Sequence, residues 1–238
     1  MQIQFISDTH DHYPIISPVC DYIALLGDIG DPFTREYIDF IDSLAEKFKH
    51  VFVIAGNHEY YYRVMNDVNN KIKEICSSHI NVHYLNNSSV EIEGILFIGS
   101  TLWSKIDMVT SYRVNDFKCI RTSIKKFLDV PTYLQLHKDS VSFIEHEVSK
   151  GIPSIVLTHY APIIEMNGKF IFSPLRSAYS SNLDYIKGNV RAWLSGHTRQ
   201  NLCIFKEGVM YASNCKGFSK DGCEGFNPNR TITVSLSP

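Results

Sequence analysis

The chain has 238 residues, 44 % of them hydrophobic and 20 % charged, with a formal net charge of −2. That length can bury one large core, and the composition is ordinary for a soluble globular protein. The lack of a basic excess argues against double-stranded DNA as a partner and leaves small phosphorylated ligands open.

Taken in chain order, "IQFIS" (3–7) is a short apolar run that stops at the polar "DTHD". "YIALLGD" (22–28) has the same shape, and Thr34 to Lys49 then follows a helical stripe capped by Thr34. "HVFVIAGNHE" (50–59) is a third apolar run, followed by a helix over about 65–76. The stretch 82–103 reads as strand, turn, strand. A longer helix runs from Thr132 to Lys150, preceded by Pro131 and stopped at Gly151, with Val141, Ile144 and Val148 facing inward. "SIVLTHYAP" (154–162) and "VRAWLSGHT" (190–198) repeat the strand-then-polar form. A hairpin turning at Glu207-Gly208 and a strand over 231–237 complete the chain. Loops at 163–182 and 214–230 are long enough to be functional or mobile. Continuous apolar runs suit strands buried on both faces, so the expectation is one α/β domain over residues 1–238.

Five strand-like runs end in groups able to bind metal or phosphate: Asp8-x-His10, Gly27-Asp28-x-x-Asp31, Gly56-Asn57-His58-Glu59, His159 and Gly196-His197. Ligands of open α/β sheets gather beyond the carboxyl ends of strands, so the five can meet in one place. Carboxylate, imidazole and amide oxygen suit borderline and hard divalent cations, and a carboxylate such as Asp28 can bridge two. Glycines at 27, 56 and 196 permit sharp turns there. Singly, each group has a plain alternative as a turn, a cap or a satisfied surface residue; the ordered set of five does not. The other histidines (12, 50, 79, 83, 137 and 146) lack that context.

The order DxH, GDxxD, GNH[DE], His, GHxH resembles the calcineurin-like metallophosphoesterase superfamily, and here it reads "DTH", "GDIGD", "GNHE", "THYAP" and "GHTR". "AGNHEYYY" (55–62), "GSTLWS" (99–104), "SNCKGF" (213–218) and "GFNP" (225–228) are most similar to its small "GNHEYY" group. The resemblance implies a four-layer α/β/β/α sandwich and two divalent metal ions (Mn, Fe, Zn or Ni). By the same resemblance Asp8 and His10 would bind the first metal, Asp28 both, and Asn57, His159 and His197 the second. His58 would assist the leaving group and Glu59 would orient His58. The implied reaction is hydrolysis of a phosphate mono- or diester by in-line attack of a metal-held hydroxide on a small substrate, a nucleotide among the candidates.

The departure is Arg199, which stands where the family has a ligand histidine. A guanidinium has no acceptor and cannot ligate a cation. The first site would keep Asp8, His10 and Asp28 and be weak or empty. Arg199 then either faces outward, or faces inward to grip a phosphate oxygen, or marks an impaired fold serving as a protein- or ligand-binding module. His12 follows His10, but a strand-end neighbour seldom reaches the same vertex. The active phosphoesterase is the preferred reading because the other ligands and His58-Glu59 are all present. Loops 104–130 and 163–182 would frame the pocket, with Tyr60, Tyr61, Tyr62, Tyr160 and Arg176 as candidate lining.

No apolar run approaches the roughly 20 residues of a membrane helix, so no membrane partner is expected. "MQIQFISDTHD" lacks the basic opening, apolar stretch and cleavage site of a secretory leader. The six cysteines (20, 76, 119, 203, 215 and 223) form no CxxC pair, so reduced thiols and a cytoplasmic location are expected.

Overall fold

The apolar runs become strands packed from both sides. The computed structural model describes residues 1–218 and 223–235. In the first sheet β1 (Gln2–Ile6), β2 (Tyr22–Leu26), β3 (His50–Ile54) and β4 (Val82–Tyr84) run parallel, and β13 (Thr231–Thr233) adds an antiparallel edge beside β1. The second sheet has the order β11 (Cys203–Lys206), β12 (Val209–Ser213), β10 (Val190–Ser195), β9 (Ser154–Thr158), β6 (Ile95–Ser100), β5 (Ser88–Ile92). Its four central strands are parallel and its two edge strands antiparallel. A ribbon of β7 (Arg121–Ser123) and β8 (Lys126–Phe127) stands apart from both sheets.

Alternation along each strand builds the layers. Phe5, Ala24, Leu26, Phe52 and Ile54 face Phe97, Ile155, Leu157, Ala192 and Leu194 between the sheets. Phe52 and Phe97 stack with ring centroids 4.2 Å apart across that interface. The alternate residues Ile23, Leu25, Val51 and Val53 share a core with Tyr37, Ile41 and Leu44 of α1 (Arg35–Lys47) and Val68 and Ile72 of α2 (Met65–Ser77). Ile98, Val156 and Trp193 on the far side share it with Tyr133, Ile144 and Val148 of α5 (Val130–Ser149). The order helix, sheet, sheet, helix is the four-layer α/β arrangement expected from the motifs.

Local signals hold in most places. Thr34 caps α1, its side chain accepting from Tyr37 N. Glu207 and Gly208 both adopt positive φ, as the two-residue turn between β11 and β12 requires. Helix α5 begins two residues earlier than expected, because Asp129 is the cap and Pro131, which lacks a donor, is tolerated in the first turn. Its inner face is Tyr133, His137, Ser140, Ile144, Glu147 and Val148, with Val141 only partly buried. The stretch 82–103 holds three strands rather than two: β4 ends the first sheet, and β5 and β6 form a hairpin in the second. Leu85–Asn87 is therefore the crossing between sheets. The last strand stops at Thr233, and 236–237 of the expected strand lie outside the described residues. No helix among the described residues is long and apolar enough to cross a membrane.

Candidate metal centre

The carboxyl ends of β1, β2 and β3 meet those of β9 and β10 along one edge of the sandwich. Asp8 and His10 follow β1, Asp28 follows β2, Asn57 and His58 follow β3, His159 follows β9, and His197 follows β10. The backbone stitches the edge together: Asp8 N donates to Gly27 O (3.0 Å), and Gly196 N to His159 O (2.9 Å). Asp8, His10, Asp28, His197 and Arg199 all take the left-handed conformation, with φ between 47° and 64°. Such backbone costs on the order of 1–3 kcal/mol per residue and concentrates at functional sites. Gly56 is required by proximity, since a Cβ there would lie 2.6 Å from Asp28 N.

Two overlapping sets of potential ligand atoms result, each with its atoms within 4.8 Å of one another: Asp8, Asp28, His159 and His197; and His10, Asp28 and His58. Asp28 belongs to both, as a bridging carboxylate would. Asp8 sits with the His159 set rather than with His10, and its Oδ2 also accepts from His197 N (3.0 Å). The Oδ1 of Asp28 accepts from His58 N (2.8 Å), which turns Oδ2 towards the imidazoles of His159 (3.4 Å) and His58 (4.0 Å).

The donor chemistry fits a cation. The Nδ1–H of His159 donates to Leu26 O (2.8 Å) and the Nε2–H of His197 to Ala178 O (3.2 Å). Those anchors fix the tautomers and leave His159 Nε2 and His197 Nδ1 as lone-pair atoms only 3.1 Å apart. Asn57 Oδ1 lies 3.2 Å from the same His159 nitrogen. Electron-rich atoms converging without a donor between them need a positive charge. A proton answers in the absence of a cation: burial lowers the His159 pKa, but Asp28 and Asp8 outweigh it and raise it to about 9. Burial, and next the charge on His159, hold His197 well below the usual imidazole value. On the other side His10 Nε2 is buried with no hydrogen-bond partner among the described residues. An orphaned buried imidazole nitrogen is costly unless something binds it.

Arg199 lines the cavity that also holds Asn57, His58 and His197. Its charge contributes to lowering the pKa of His10 and of His197, after burial in each case. Its guanidinium carbon is 5.8 Å from the centroid of Phe218, whose ring stacks on His10 at 3.9 Å. The arginine therefore faces the cavity, close enough to lower the pKa of both imidazoles. His12 is exposed and bonds the His10 carbonyl (3.0 Å), so it is no substitute ligand.

Other residues fall differently from their sequence positions. Glu59 is buried, and its carboxylate accepts from the backbone N–H of Asp28 (2.9 Å), Ile29 (2.7 Å) and Gly56 (2.8 Å). It braces the β2 and β3 turns rather than touching the His58 ring. That ring instead stacks on Tyr61 (centroids 4.1 Å) and meets His10 edge-on (4.7 Å). Of the five expected lining residues, Tyr61 lines the cavity. Tyr60 and Tyr160 are core, Tyr62 is exposed beside a neighbouring groove, and Arg176 is not among the lining residues.

Sequence reasoning missed Asp116, in the short helix α4 (Asp116–Cys119). Its buried carboxylate accepts from Asn57 Nδ2 (2.8 Å), Tyr61 OH (2.8 Å) and Tyr160 OH (3.2 Å). Burial raises its pKa and these donors oppose the rise. The first bond turns the Asn57 oxygen towards His159. Phe218 was visible only as the end of "SNCKGF", whose Lys216 N and Gly217 N pair with Ser7 O and Asp8 O and so carry the ring over His10.

The model of the calcineurin-like phosphoesterases matches residues 1–200. An uncharacterized protein of Acanthamoeba polyphaga mimivirus, L509, is 32 % identical over 235 residues, covering 90 % of this chain and 84 % of that protein. Among solved structures, phosphopantetheinyl hydrolase from Mycobacterium tuberculosis superposes with a TM-score of 0.73 at 14 % identity, covering 97 % of this chain and 95 % of that one. The protein TT1561 of Thermus thermophilus gives a TM-score of 0.56 at 11 % identity, covering 90 % of this chain and 88 % of that one.

Proposed function

The chain belongs to the calcineurin-like phosphoesterase family, and on that premise we propose that it is a metal-dependent hydrolase of small phosphate esters, acting as one domain over residues 1–238 in the cytoplasm. The observation that carries the proposal is the convergence of His159 Nε2, His197 Nδ1, Asn57 Oδ1 and Asp28 Oδ2, which only a proton on His159 or a cation can hold together. Asn57, His159, His197 and Asp28, joined by Asp8, would hold one divalent cation; His10 with Asp28 would hold a second, weaker one. When bound, two such cations activate water and neutralise charge on the phosphoryl oxygens.

The chain's own groups do the rest. His58, about 30 % exposed and held by Tyr61, supplies a proton to the departing alkoxide. Arg199 presents its fork to a phosphoryl oxygen on the side where the family's ligand histidine is missing. Asp116 holds the Asn57 amide in the orientation a cation needs and steadies Tyr61 under His58. Keeping this whole set together supports catalysis over the binding-module alternative. The phosphopantetheinyl hydrolase likeness fits a phosphorylated small molecule as substrate.

With Mn²⁺ added, the protein is expected to hydrolyse a generic aryl phosphate mono- or diester. Asn57→Ala and His58→Ala are each expected to lower kcat/KM by about 10²–10⁴-fold, the usual range for a lost acid or positioning group. A wild type no faster than these variants with Mn, Ni, Co, Zn or Fe would refute the hydrolase reading.

A further inference from the structure

Beside the cavity of about 330 Å³ lined by Asn57, His58 and His197 lies a second one of about 240 Å³. Leu175, Tyr179 and Arg199 line both, so the two adjoin at these residues. Phe170, Leu175 and Tyr179 give the annex apolar walls. Two of its polar residues are engaged in the loop itself: the Asn167 amide donates to Ile164 O (2.9 Å) and Ser180 Oγ (2.6 Å), and Ser173 Oγ accepts from Leu175 N (3.2 Å). Thr198 and Tyr179 are the other hydroxyl residues of its described lining; Thr198 is buried, and its Oγ1 has no partner among the described residues. Arg199 is the charged residue of the described lining and also lines the metal-side cavity.

The mouth continues the same chemistry. Phe172, 90 % exposed, leaves the loop that walls the annex. Helix α3 (Met108–Ser111) is fastened to that loop by Thr110 Oγ1, which donates to Pro174 O (3.2 Å), and by the Ser177 hydroxyl on Asp107. Met108, Val109 and Tyr112 are exposed on this segment, and Arg113, Asn115 and Asp116 lead directly from it into the metal-side cavity. The exposed apolar side chains thus sit on segments that also supply residues to the linings of the two cavities, and exposed apolar surface gathered in one place marks a site of interaction.

We infer that the annex is the leaving-group subsite and that the substrate is a phosphate ester of an apolar alcohol, alkyl or aryl. This deepens the hydrolase reading and rests on it. The phosphoryl group lies on the metal side of Arg199 and the alcohol carbon chain on the other. Water oxygen bonds to phosphorus, the bond from phosphorus to the alcohol oxygen breaks, and ester plus water gives phosphate plus the alcohol, protonated through His58. The alcohol's carbon chain meets Phe170, Leu175 and the Tyr179 ring, whereas a polyol leaving group would exchange its hydrogen bonds to water for few in the described lining.

Hexyl phosphate and glycerol 3-phosphate have alkyl alcohol leaving groups of similar reactivity and opposite polarity. The Mn²⁺-loaded wild type is expected to prefer hexyl phosphate by at least about tenfold in kcat/KM, the scale that methylenes in an apolar pocket supply. In Phe170→Ser and Leu175→Asn the preference is expected to fall below about threefold. Equal rates in the wild type, or a preference that survives both substitutions, would overturn the inference. Turnover of neither ester counts against the hydrolase reading, and the annex is then judged by calorimetry with hexylphosphonate and methylphosphonate. Binding of hexylphosphonate about tenfold tighter in the wild type, and lost in the variants, supports it; equal binding overturns it.

Discussion

Asp28→Ala is expected to lower kcat/KM at least about 10³-fold, about 4 kcal/mol of transition-state stabilisation, and to strip the protein of bound metal. Both sets of potential ligands depend on this carboxylate. Its Oδ1 is spent on His58 N, so only Oδ2 is available to the imidazoles, and no other carboxylate among the described residues serves both sets. Asp28→Asn keeps the side chain's shape and removes its charge, so it separates electrostatics from packing: it is expected to lose metal nearly as fully as Asp28→Ala while retaining the wild-type circular dichroism. An Asp28→Ala protein that kept its metal and stayed within about tenfold of wild-type kcat/KM would remove the bridging role.

Asp116→Ala is expected to weaken metal binding by about 10–100-fold, the usual cost of losing a partner that orients a ligand. The carboxylate belongs to neither set of potential ligands; it acts through the Asn57 amide at 2.8 Å. Without it, the amide is free to turn its NH₂ towards His159. The Mn²⁺ dependence of turnover distinguishes this from a structural effect. A positioning role shifts the midpoint to higher Mn²⁺ and lets excess metal restore much of the rate, and Asp116→Asn, which can still accept from Asn57, shifts it less. A lowered melting temperature with an unmoved midpoint would make Asp116 a packing residue only.

The strand-end groups were legible because each follows a buried parallel strand, and the carboxyl end of such a strand fixes where the next residues lie. Five such ends in two facing sheets leave Asp8, His10, Asp28, Asn57, His159 and His197 little choice but to meet. What was not legible depends on side-chain direction or on distant contacts. Asp8 falls with His159 rather than His10, its Oδ2 accepting from His197 N at the end of the second sheet. Glu59 adjoins His58 in sequence, but in the tight turn their side chains part, and the carboxylate meets three backbone amides instead. Tyr60 and Tyr61 look alike in "NHEYYY", yet one bonds Asn69 in the core and the other lies under His58. Asp116 lies 59 residues from Asn57 and follows no strand, so no local pattern marks it. The sheet crossing at Leu85–Asn87 was hidden because a strand reads the same whichever sheet it joins.

On the proposed reading, Arg199 would decide how many cations the centre holds. It lines the cavity with His58 and His197, and its charge contributes to lowering the pKa of His10, whose Nε2 has no partner among the described residues. A cation there has fewer ligands than the family arrangement and a positive neighbour. The most direct test is elemental analysis of purified protein, wild type against Arg199→His, after dialysis against metal-free buffer. About one retained divalent metal per chain is expected in the wild type and about two in Arg199→His, as a restored imidazole completes the weaker site. Two tightly held metals in the wild type, or none in either protein, would contradict the unequal pair of sites.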